Sequence, residues 1–124
     1  MAERARATIG VLRDAMTEFA DIGAVAIVKL GYATRDGGKE HHWFEAHAIG
    51  ESTVDATLEN RPFNVDLRQG ERAERPLDLL TDWMLMTPEG TVTPRYQGVV
   101  RRLRALSPDA RAALVEAAKS TPGR

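Results

Sequence analysis

Apolar residues recur every three or four positions near the start of the chain. Ile9, Leu12, Met16, Phe19 and Ala20 share one face of a helix predicted over residues 3–20, with Arg4, Arg6, Arg13, Asp14 and Glu18 on much of the remainder. The segment "DIG", ending at Gly23, stops it. The character of the chain then changes. "AVAIVKLGY" is rich in β-branched residues and reads as a strand with Val25 and Ile27 in the core, apolar on both faces as far as Lys29. Asp36-Gly37 is a hairpin signal, because glycine accepts positive φ. "KEHHWFEAHAI" is the partner strand, and "TVDATLE" a third, with Val54, Ala56 and Leu58 on one face. Val25 to Leu58 therefore reads as an antiparallel meander.

"NRP" breaks the meander, and "FNVDL" reads as a possible short strand. Pro76 excludes a continuous central strand through "ERAERPLDLLTDWMLM". Within it, "LDLL" suits one helical turn and "DWMLM" a last strand entering the core. Thr93-Pro94 looks like an N-cap with proline at the first helical position, followed by Tyr96, Val99, Val100, Leu103 and Leu106 at helical spacing. Ser107-Pro108-Asp109 repeats the cap before a second short helix, and "STPGR" is expected to fray. These elements predict a single α+β domain over residues 1–124: an N-terminal helix, a curved antiparallel sheet of about four to six strands, and C-terminal helices packed on it. The runner-up is a small, partly closed barrel. The expected core draws on Leu12, Met16, Phe19, Val25, Ile27, one of Trp43 and Phe44, Leu58, Trp83, Leu85, Val99 and Leu103.

Composition narrows the chemistry. The chain has 124 residues, 43% apolar and 28% charged, enough to bury roughly two-thirds of its unfolded surface without staples. It has no cysteine, which excludes disulfides, thiol nucleophiles and cysteine metal sites. Its formal net charge of −1 gives no global field toward nucleic acid or membrane. No apolar run spans a bilayer, and the expected location is the cytoplasm.

All three histidines lie in "KEHHWFEAH". On a strand, His41, Trp43, Glu45 and His47 share one face, and His42, Phe44 and Ala46 the other. His41 and His47 are then roughly 20 Å apart, so they cannot share one ion. No metal and no cofactor is expected, although a carboxylate from Asp55 or Asp82 beside His41 is a conceivable ligand pair. Trp43 and Phe44 point to opposite sides, so one packs under a helix and the other sits on a cleft, an edge or a partner surface. Asp82-Trp83 reads first as a turn-capping acid and a core indole. The sharper alternative is an Asp82–His41 pair acting as an oriented base. Ser52, Thr53, Thr57 and Thr81 are candidate hydroxyl partners, but no nucleophile elbow is present. Arg95, Arg101, Arg102 and Arg104 form a basic stretch that fits a solvated helix C-terminus better than a nucleic-acid surface. The glycines of "RDGGKE" belong to a hairpin, not a phosphate-binding loop.

The motifs "EHHW", "TLENRP", Gly70 and "TDWMLM" together resemble the YegJ-like bacterial family of unknown function. The matching positions are Glu40, His41, Trp43, Leu58, Asn60, Pro62, Gly70, Asp82 and Trp83. Ala56 stands where the family has glycine, Leu80-Thr81 replaces Ile-Ser, and "TPRYQG" replaces a "GGYT" stretch. The resemblance implies a fold and no activity. The expected function is a non-enzymatic module that binds a protein or small ligand through Glu40, His41, Trp43, Asp82 and Trp83. The alternatives are a small hydrolase or metal-assisted enzyme using His41 with Asp82 or Glu40, and RNA or phosphate binding by the arginine-rich helix. The sequence does not give an oligomeric state.

Overall fold

A computed structural model describes residues 2–120. Helix α1 (Ala2–Glu18) is followed by a 3-10 turn at Ala20–Ile22. Six strands come next: β1 (Val25–Ala33), β2 (Lys39–Ile49), β3 (Thr53–Leu58), β4 (Arg72–Pro76), β5 (Leu80–Thr87) and β6 (Gly90–Val92). Helices α2 (Gly98–Arg104) and α3 (Pro108–Ser120) complete the order. The strands form one antiparallel sheet in the order β4-β3-β2-β1-β5-β6. Its two edges are different strands, so the sheet is open, not a barrel, and the architecture is α+β.

The β1–β2 turn closes on Thr34, whose carbonyl accepts the Gly37 N–H and whose N–H donates to the Gly38 carbonyl at 3.0 Å. Gly37 has φ +89°, a conformation that costs a side-chain-bearing residue steric strain. Pro76 ends β4 on the sheet's edge, where a missing N–H breaks no ladder.

The helices cover one face. Ala5, Leu12, Ala15 and Phe19 of this segment are buried against Val28, Leu30, Trp83 and Leu85. Arg6 donates to the Leu80 and Asp78 carbonyls, and Arg13 to those of Ile49 and Gly50. These bonds pin α1 to strand ends. Val99, Val100 and Leu103 bring α2 into the same core.

Several expectations need correction. The main core cluster takes Ala26, Val28 and Leu30 from β1; Ile27 is buried as expected but on the opposite face, where Val25 is half-buried. A strand with both faces apolar gives no period from which to choose. "FNVDL" forms bends instead of a strand. Thr93 caps a tight turn in which Tyr96 N–H reaches its hydroxyl at 3.1 Å. The helix therefore begins at Gly98, and Tyr96 is exposed. A sixth strand follows the "TPEG" turn, and the fraying expected of residues 121–124 lies outside the described residues.

Candidate functional site on the open sheet face

The second face of the sheet carries no buried side chain except Ile27, together with the bare backbone of Gly31. Its rows follow from the register. Ile27 lies between Glu45 and Met84, Lys29 between Trp43 and Asp82, and Gly31 opposite His41, with Met86 beside Val25. The result is an apolar strip of Val25, Ile27, Met84, Met86 and Trp43, interrupted by Lys29 and bordered by acids.

Two bulges shape this face. In β2, Ala46 pairs with Ala56 and Ala48 with Asp55, so His47 is the extra residue. Ile49 thereby returns to the core, and His47 bonds the Thr57 hydroxyl at 2.8 Å. In β5, Lys29 faces Asp82 while Leu30 faces Leu80, leaving Thr81 as the extra residue. Two consecutive polar side chains, Thr81 and Asp82, thus leave the core side between buried Leu80 and Trp83. Bulges re-aim side chains in this way and are frequent beside functional sites.

His41 lies across Gly31. A Cβ on Gly31 would sit 2.7 Å from the imidazole Cε1, closer than carbon atoms pack. The ring reaches the Thr81 hydroxyl at 3.4 Å through Nδ1, and that hydroxyl is 3.3 Å from the Lys29 carbonyl. The Lys29 ammonium is 5.3 Å from the centre of the Trp43 ring, within cation–π range. On the β3–β4 side, Arg72 holds Asp55 in a two-pronged pair at 2.7 and 2.9 Å. The Arg72 guanidinium keeps the Asp55 carboxyl below its usual range, chiefly through that hydrogen bond, and its own pKa is raised by the same contact.

The five residues singled out from sequence divide between the faces. His41, Trp43 and Asp82 meet on the open face. Glu40 and Trp83 belong to the helix-covered side. Trp83 is 1% exposed and donates its indole N–H to the Thr8 hydroxyl at 3.1 Å. Glu40 pairs with buried His42 and accepts the N–H groups of Phe63 and Asn64 at 2.6 and 2.7 Å. Those bonds, the Phe63 N–H first, lower the Glu40 pKa. Together with Asn60, whose side-chain oxygen accepts the Trp43 N–H at 2.6 Å, Glu40 fastens the loop after β3 and leaves Phe63 92% exposed. His41 and Asp82 share no hydrogen bond: the imidazole turns to Thr81, and the carboxylate accepts the N–H of its neighbour Trp83 at 2.9 Å.

Sequence reasoning passed over Lys29, Gly31, Met84 and Met86 as site residues. A glycine inside a strand does signal close approach by another group, and Gly31 fits that signal. The alternation of Met84 and Met86 with buried Trp83 and Leu85 was a second available mark. Among the described residues, no three His, Asp or Glu side chains are placed to hold a metal ion. No described helix is long and apolar enough to cross a membrane.

An α+β domain with helices on one side of an open sheet, and a mixed apolar and charged surface on the other, is thus the class that fold and site define. The chain belongs to a family described as uncharacterized protein conserved in bacteria (DUF2314), whose model matches residues 1–116. No curated protein and no solved structure matches it.

Proposed function

We propose that this domain is a non-enzymatic binding module, and that its open sheet face takes a protein segment carrying apolar side chains between basic ones. The observation behind this reading is the half-buried row Trp43–Lys29–Asp82 beside Ile27, Met84 and Met86, on the face that no helix covers. Aromatic anchors and methionines are enriched where proteins meet. The charge of this face leans slightly toward a basic partner: Glu45, Asp55, Glu74 and Asp82 stand against Lys29, Lys39 and Arg72. The YegJ-like resemblance belongs to this reading, since its His41, Trp43 and Asp82 share that face. A cytoplasmic location is part of the same proposal.

The hydrolase alternative needs an imidazole–carboxylate bond that His41 and Asp82 do not make. Its nearest substitute is the His41–Thr81 contact at 3.4 Å, long for a base beside its nucleophile. The test of binding is photo-crosslinking in bacterial cells that carry the protein natively. A benzophenone amino acid replaces Met84 on the open face, or Ala113 on exposed α3 as control. One discrete adduct is expected from position 84, lost with Trp43→Ala and weakened by Asp82→Lys. No adduct, or one indifferent to both substitutions, sinks the proposal.

A further inference from the structure

A groove between α1 and α2 lies on the helical side of the sheet, apart from the open face and independent of the role proposed for it. Open to solvent along one side, it offers about 520 Å³, within the range of small-molecule sites. Val11, Val100 and exposed Ala7 line it with apolar side chains, and Gly10 faces it in mid-helix. Gly10 is unexpected there, because glycine is the poorest helix former after proline. Close helix packing does not demand it. The nearest atom to a Cβ at this position is the end of the Arg13 side chain, 3.9 Å away. What the missing side chain does is leave the groove open.

The charges at the groove are divided unequally. Arg104 is occupied by Glu18, with contacts at 2.7 and 2.9 Å. That bond lowers the Glu18 pKa. Asp14 adds to the field at Arg104, but among the described residues neither Asp14 nor Arg101 is in an ion pair. The groove therefore presents one carboxylate and one guanidinium that form no salt bridge among the described residues, Asp14 acting on Arg104 only at longer range, beside apolar side chains. The Glu18–Arg104 pair sets the like ends of the two helices together, so Asp14 and Arg101, each about one turn before that pair, stand near one level, with Gly10 and Val11 further along the groove.

We propose that this groove binds a small apolar α-amino acid, with its ammonium on Asp14, its carboxylate on Arg101 and its side chain against Val11 and Val100. A simple carboxylate would meet Asp14, and a simple amine would meet Arg101; only a zwitterion satisfies both.

The experiment follows the Gly10 amide in ¹⁵N-labelled protein by NMR while L-leucine, N-acetyl-L-leucine or L-leucinamide is added. L-leucine is expected to give a saturable shift. Each derivative lacks one charge and is expected to bind about tenfold more weakly, the usual loss of one charge-assisted contact. Arg101→Gln and Asp14→Asn, both at exposed positions, are expected to weaken L-leucine binding similarly. Gly10→Leu improves helix propensity, so the variant folds while its side chain fills the groove. A different amide near Val100 then reports the lost binding. No saturable shift with L-leucine at tens of millimolar overturns the proposal. So does equal binding of N-acetyl-L-leucine, or binding that survives Gly10→Leu.

Discussion

Replacing either of two adjacent aromatic residues by alanine separates the two faces of the sheet. Phe44 is fully buried, with Tyr32 at 6.0 Å ring to ring and the Arg75 guanidinium 4.7 Å from its centre. Phe44→Ala removes apolar area and leaves a cavity under a charged group, a change that costs about 3–5 kcal/mol. Trp43 stands on the open face, where alanine leaves no enclosed void. The loss there is chiefly the contact with Lys29, about 0.5–1 kcal/mol for a cation–π pair that keeps contact with solvent. One cross-strand pairing adds roughly 0.2–1 kcal/mol. Trp43→Ala is thus expected to cost about 1–2 kcal/mol, although tryptophan is the larger side chain. Urea unfolding checks this through the midpoint at constant slope. A Trp43→Ala cost equal to or above that of Phe44→Ala would refute the assignment of faces.

Gly31→Ala is expected to push the His41 ring off the sheet and break its contact with Thr81, seen as a shifted imidazole resonance, with stability changed by no more than about 1 kcal/mol. Glu40 has a lowered folded pKa, so its hold on the loop is fully present above the unfolded value of 4.5 and fades as pH falls through the lowered folded value. Amide exchange at Phe63 and Asn64, corrected for intrinsic rates, is expected to accelerate in that acid window, and Glu40→Gln to accelerate it at neutral pH; unchanged protection in the variant would contradict the anchor. Arg75 is 4% exposed and donates to the Ala56 and Glu71 carbonyls. Arg75→Lys cannot span both and is expected to cost about 1.5–3 kcal/mol in urea unfolding, the range for charged hydrogen bonds.

Most of the architecture could be read from local chemistry. Asp36-Gly37 located the first hairpin, the alternation Val54, Ala56, Leu58 oriented β3, and Pro76 ruled out a continuous central strand. The features that escaped depend on side chains far apart in sequence. Thr93-Pro94 has the composition of a helix start, but the Thr93 hydroxyl closes a turn before Gly98. β1 is apolar on both faces, so only the position of α1 decides that Val28 packs under the helices and Ile27 on the opposite face. The site was legible in part for the same reason. The pleat of β2 separates Trp43 from Phe44 and His41 from His42. The bulge at Thr81 leaves no local mark, and it is this bulge that sets Thr81 beside His41 and turns Trp83 toward Thr8.

The open face as a protein-binding surface is tested most directly by the chain's two tryptophans. Trp83→Phe leaves Trp43 as the sole indole, and Trp43→Phe leaves Trp83. In free protein, acrylamide is expected to quench Trp43 strongly and Trp83 weakly. With the partner captured through position 84, Trp43 becomes protected and Trp83 is unchanged. A Trp43 already as shielded as Trp83 in the free protein, or one still quenched in the complex, would contradict the open-face account.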